Sequence, residues 1–99
     1  MAKAYWIACY REILDQDKLA AYAKLAIPAI AAGGGTALAR GVAAFAFEAG
    51  VKERTVLIEF PNIESALSTH DSAAYKEALA ALAGGAVRDL RIIEAVSPS

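Results

Sequence analysis

The sequence predicts an α+β fold, an antiparallel sheet with helices packed against one face. Three features carry that prediction. Apolar runs of strand length lie near the start, middle and end, two intervening stretches repeat apolar residues every three to four positions, and glycine or proline marks the junctions. The 99 residues suit one domain over residues 1–99 with a flexible tail at 97–99. A domain of that size buries only about 60 to 65% of the surface its unfolded chain exposes.

Residues 4–10, AYWIACY, form the first strand, closed by the polar group that begins at Arg11. From Lys18 the pattern turns helical, with Leu19, Tyr22, Ala23, Ala26, Ile27 and Ile30 on one face and Asp17 as N-cap. Pro28 lacks a backbone N–H, so a kink or break is expected between Lys24 and Pro28. Gly33, Gly34 and Gly35 end the helix. Residues 36–40 and 42–48 read as one long strand with a bulge or bend at Gly41, followed by a turn at 50–53.

Residues 55–60 form the next strand, which Pro61 cannot continue. Asn62 caps a helix bearing Ile63, Ala66 and Leu67; His70 and Asp71 interrupt it, and Ser72 caps a second segment through Leu82. Gly84 and Gly85 close that segment, and residues 89–96 supply the last strand. The order strand, helix, strand, strand, helix, strand is the ferredoxin-like βαββαβ arrangement, with its helices on one face of the sheet.

Strand faces carry a second message. Val56, Ile58 and Phe60 point one way and Leu57 the other, with Thr55 and Glu59; on the first strand Tyr5, Ile7 and Cys9 oppose Trp6, Ala8 and Tyr10. Helices cover only one face, so a monomer would leave the second apolar face in water. Self-association of two sheets is the simplest remedy.

Composition excludes several classes. Ten Lys+Arg against eleven Asp+Glu give a formal net charge of -1 with no basic cluster, which leaves no footprint for nucleic acid or an anionic membrane. The first apolar run is too short for a secretory or membrane-spanning segment. One cysteine, Cys9, permits no intrachain disulfide and no thiolate metal cluster, so a cytoplasmic location is expected, with Cys9 an inert buried thiol. Gly33 to Gly35 follow a helix and precede a strand, the reverse of a phosphate-binding loop.

Lys3-Ala4-Tyr5-Trp6-Ile7, Arg40-Gly41, Arg54 with Ile58-Glu59-Phe60-Pro61, Ser72 to Tyr75 and Ile92-Ile93-Glu94 together resemble a widespread bacterial family of small proteins of unknown function with a dimeric α/β-barrel fold. The resemblance covers roughly residues 3–96, and the block around Glu59 is its most specific part. It implies a homodimer in which two four-stranded sheets form a barrel. The chain departs from the family pattern at Thr69 and His70, where an aromatic pair is common, at Ala73, where proline is common, and at Val42 in place of a second glycine.

Among candidate site residues, Glu59 sits on a mostly apolar strand, where a carboxylate needs a partner such as Arg40 or Arg54. It reads either as a pocket acid or as half of a structural ion pair. His70, beside Asp71, has the chemistry of a proton carrier, or it is a solvated histidine at a helix junction. Tyr75 and Ser72 match family positions, and the Tyr75 ring also suits the core. Trp6 and Tyr10 share a strand face on which a planar ligand could stack, though core or dimer interface is the plainer use. No second histidine or thiolate lies at metal-ligand spacing, and no cofactor is expected.

The function expected from these residues is a homodimer that binds a small, partly apolar organic molecule in a cleft between sheet and helices, with Arg40, Glu59 and Tyr75 as polar contacts and Ser72 and Trp6 as further candidates. One alternative borrows from the wider dimeric α/β-barrel group a cofactor-independent oxygenase or isomerase with Glu59 or His70 as base. Another is a structural dimer with no small ligand.

Overall fold

The computed structural model describes residues 2–96; the tail expected at 97–99 lies outside the described residues. The elements are β1 (Ala4–Ile13), α1 (Gln16–Ala32), β2 (Thr36–Val42), β3 (Arg54–Phe60), α2 (Ile63–Asp71), α3 (Ala73–Leu82) and β4 (Ala86–Glu94). They form one antiparallel sheet of order β2-β3-β1-β4, the ferredoxin-like topology expected from the element order. The molecule measures 39 × 35 × 16 Å between Cα extremes, the thickness of one sheet and one helix layer.

Several boundaries differ from expectation, each for a local reason. The N-cap of α1 is Asp15 rather than Asp17: its extended backbone lets the carboxylate accept from the N–H groups of Asp17 (3.0 Å) and Lys18 (3.1 Å). Helix α1 runs through Pro28 without a break. Pro28 and Lys24, one turn apart, are both exposed, so the hydrogen bond that Pro28 cannot donate to the Lys24 carbonyl is lost on the solvent side of the helix. At the other end Gly34 takes φ +95°, Gly35 N–H bonds Ile30 O (2.9 Å) and Gly34 N–H bonds Ala31 O (3.1 Å), a Schellman closure that needs glycine at its left-handed position.

Strand β2 stops at Val42, and residues 43–48 are not strand despite their alternating pattern. β3 begins only at Arg54; past Val42 the ladder is continued by Ala43 N–H to Glu53 O (3.0 Å), and the chain then turns, with Gly50 N–H bonding Phe47 O (2.8 Å). The β2 irregularity falls between Ala37 and Ala39, while Gly41 pairs in register with Thr55. β4 starts at Ala86, three residues before the expected start, because β1 continues past a bulge at Arg11 and pairs Ile13 with Ala86.

Asn62 and Ser72 cap α2 and α3 as expected. Asn62 Oδ1 accepts from Ser65 N–H (2.8 Å); Ser72 Oγ accepts from Tyr75 N–H (3.2 Å) and donates to Thr69 O (2.7 Å).

The core lies between the helices and one sheet face. Trp6, Ala8 and Tyr10 of β1 with Ile58 and Phe60 of β3 meet Leu19, Tyr22, Ala26, Ala29, Ala66, Tyr75, Ala78 and Leu82. Alanines on the helices bring their backbones close to the aromatic rings, which is one use of the alanine-rich composition. Tyr5, Ile7, Cys9, Leu57 and Ile93 lie on the other, open face, as the strand register requires. Cys9 is exposed there, which corrects the expectation of a buried thiol.

Candidate functional site

The cross-strand pair of Tyr10 on β1 and Arg88 on β4 places both side chains on the helix-covered face. Tyr22 reaches down from α1 and Tyr75 from α3. Their hydroxyls lie 2.7 Å apart, and the Arg88 guanidinium spans them, donating to Tyr22 Oη at 3.0 Å and to Tyr75 Oη at 2.9 Å. A weaker contact runs to Tyr10 Oη at 3.5 Å. Arg88 also lies over the Tyr22 ring, 4.6 Å from its centroid.

Burial pushes the Tyr22 phenol above its ordinary range, and Tyr75 adds to this against the opposing pull of Arg88. Burial by itself works against the charge on Arg88, yet its interactions with Tyr22 and Tyr75 outweigh that, so the guanidinium is held protonated. Among the described residues, no carboxylate forms an ion pair with Arg88, Arg54 or Arg40.

Beside this cluster a cleft of about 40 Å³ opens between α1 and the sheet. Trp6, Ala26, Ile27, Ile30, Val56 and Ile58 form apolar walls, and Tyr10, Tyr22, Arg40, Arg54 and Arg88 supply the polar lining. An adjoining cavity of about 110 Å³ continues along α1 and shares Ile27, Ile30, Arg40 and Ile58. Arg54 Nε is buried without a hydrogen-bond partner, and the Arg54 guanidinium lies 6.0 Å from the Tyr10 ring centroid.

Of the residues singled out in the sequence, Trp6 and Arg40 line this cleft. Tyr75 stands behind it, fully buried, with its hydroxyl committed to Tyr22 and Arg88. Ser72 is the N-cap of α3 and borders a separate shallow hollow with Asn62, Ser65 and Thr69. Glu59 lies on the open face, paired with Lys3 at 3.3 Å rather than with Arg40 or Arg54, which sit on the opposite face.

His70 packs on the rings of Trp6 and Tyr75, with centroids at 5.8 and 5.5 Å, and its Nδ1 is 3.5 Å from Asp71 Oδ1. The end of α2 at Asp71 supplies the irregular backbone such a neighbour contact needs. Glu59 and His70 therefore stand on opposite sides of the sheet.

Arg88 and the polar use of Tyr22 escaped the sequence reading. The available signal was the alternation Arg88, Leu90, Ile92, which sets an arginine on the buried face of the last strand. Tyr22 was legible only as one more member of an apolar helical face.

The fold and this cleft define a small α+β protein with ferredoxin-like relatives among solved structures. A Rhodopseudomonas palustris protein of unknown function matches with a TM-score of 0.74 at 15% identity, covering 98% of this chain and 85% of that one. A protein of unknown function from Bacteroides fragilis, described as dimeric with a ferredoxin-like fold, matches with a TM-score of 0.58 at 16% identity over 96% of this chain and 98% of its own. SnoaB, a cofactor-independent oxygenase from Streptomyces nogalater, matches with a TM-score of 0.62 at 10% identity over the full length of both chains. At such identities the likeness is one of fold. No functionally curated protein matches. The chain belongs to the DUF1330 family, a domain of unknown function, whose model matches residues 3–96.

Proposed function

We propose that this protein is a cytoplasmic homodimer that holds a small, partly apolar organic molecule across the cleft between α1 and the sheet and the cavity that adjoins it. The observation that carries the reading is the cleft's lining, a few convergent polar groups set among apolar walls. Trp6 and Arg40 contribute to it directly, and Tyr75 acts from behind by fixing Tyr22 and Arg88. The enzyme alternative is weaker, because neither Glu59 nor His70 lines this cleft.

Pairing through the open face supports the dimer. Tyr5, Ile7, Leu57 and Ile93 lie there, and a hollow of about 620 Å³ separates the sheet from the loop that carries Phe45 and Phe47. The same face bears the Lys3–Glu59 and Arg91–Asp89 pairs, so a second copy meets both signs of charge. The dimeric description of the structurally similar Bacteroides fragilis protein supports a dimer. The exposed free thiol of Cys9 suits a reducing compartment, and among the described residues no helix is long and apolar enough to cross a membrane.

Native mass spectrometry of protein purified from its own host tests both parts. The expected spectrum shows twice the 10.3 kDa of one chain with a bound small molecule that leaves on activation. Bare protein, together with no response of the Trp6 indole signal to a library of small organic molecules, refutes the binding role.

A further inference from the structure

We infer that the molecule held in this cleft is an organic anion, a carboxylate carrying a short apolar tail. This rests on the reading of the cleft as a binding site and adds the chemical class of its occupant. Three arginines, Arg40, Arg54 and Arg88, line the cleft, and no aspartate or glutamate does. Arg40 pairs with Val56 and Arg54 with Val42, so the two guanidinium-bearing positions lie on a diagonal of the helix-covered face of β2 and β3. The Tyr10 ring stands between Arg54 and Arg88, with their guanidinium carbons 6.0 and 5.6 Å from its centroid.

Hydrogen-bond arithmetic points the same way. The Tyr22 and Tyr75 oxygens each accept from Arg88, and one of the two hydroxyls donates to the other. That leaves one hydroxyl proton without an acceptor in the cluster, in addition to the buried, unpartnered Arg54 Nε–H. The cleft is thus rich in donors and positive charge and has no carboxylate to balance them. A carboxylate supplies two acceptor oxygens matched to the guanidinium fork.

The walls select what the anion is attached to. The adjoining cavity beyond Arg40 is lined by Ile27, Ile30, Ala31, Gly35, Ala37 and Ile58, which offer nothing to a fully hydrated ion and a good surface to hydrocarbon. An inorganic phosphate would satisfy the arginines and leave that cavity unfilled.

Titration of the full chain with hexanoate, hexanamide and inorganic phosphate, read by thermal shift and by amide chemical shifts, separates these possibilities. Hexanoate is expected to raise the melting temperature and move the signals of Ile27, Ile30 and Arg54, with hexanamide and phosphate each at least about tenfold weaker. Arg54→Gln is expected to weaken hexanoate about tenfold while leaving hexanamide unchanged, and Arg40→Gln on the exposed edge strand provides the same test should Arg54→Gln fail to fold. Equal binding of hexanoate and hexanamide overturns the anionic class and leaves the cleft as a binding site. Phosphate binding as tightly as hexanoate overturns the apolar tail. No binding by any of the three at millimolar concentration overturns this inference and the binding role together.

Discussion

Arg88 keeps its charge at a half-buried position because phenol oxygens, rather than carboxylates, surround it, and this sets the polarity of the cleft. Tyr22 is the other half of the arrangement: removing its hydroxyl leaves both Arg88 and Tyr75 short of a partner. Tyr22→Phe is therefore expected to cost about 1 to 3 kcal/mol near neutral pH, measured by urea unfolding. The pH dependence has a definite sign. Burial raises the Tyr22 phenol in the folded chain, so the native state holds a proton that the unfolded state releases near the ordinary tyrosine value of about 10. The Tyr22 contribution is complete below about pH 10 and is lost progressively from there up to the raised folded value, so the stability gap between wild type and Tyr22→Phe narrows from about pH 10 upward. A gap that stays constant or widens would contradict the assigned direction. None of this was legible from the residues in order: Arg88 lies 66 positions from Tyr22, and only the sheet register and the docking of α1 bring them together.

At the scale of elements, caps were legible and pairing partners were not. Asn62 and Ser72 act on the backbone three residues away, so their short polar side chains announce the starts of α2 and α3. Residues 43–48 carry strand-like alternation yet form a loop, because a strand exists only where another backbone completes its ladder. Pro28 is the complementary case, a helix breaker carried inside α1 where it and Lys24, whose carbonyl it leaves unpaired in the helix, are both exposed. Pro28→Ala restores that hydrogen bond and the better helix former, and the greater freedom it gives the unfolded chain offsets part of the gain. The expected outcome is a stabilisation of about 1 to 3 kcal/mol by thermal or urea unfolding, and a loss of stability would show that Pro28 is needed for the packing of α1.

At the scale of the whole molecule, the two-layer build leaves one sheet face without a helix. Leu57 sits near the middle of that face on β3, opposite Ile7 on the adjacent strand. If two copies pair there as proposed, Leu57→Glu places two carboxylates in the apolar interface and is expected to yield monomers by light scattering at micromolar concentration, while the wild type remains dimeric. A monomeric wild type would refute the pairing. The order of the elements, both helix caps of the second half, the two-sided character of the central strands and the family block around Glu59 follow from the residues in order, since each is written in residues that act on near neighbours or through a fixed two-residue alternation. That Glu59 and His70 lie apart, that Glu59 pairs with Lys3, and that Tyr22, Tyr75 and Arg88 meet beside a cleft lined by three arginines is set by the packing of the folded chain. Such meetings depend on strand register and helix docking, which fix distances between residues that the chain keeps far apart.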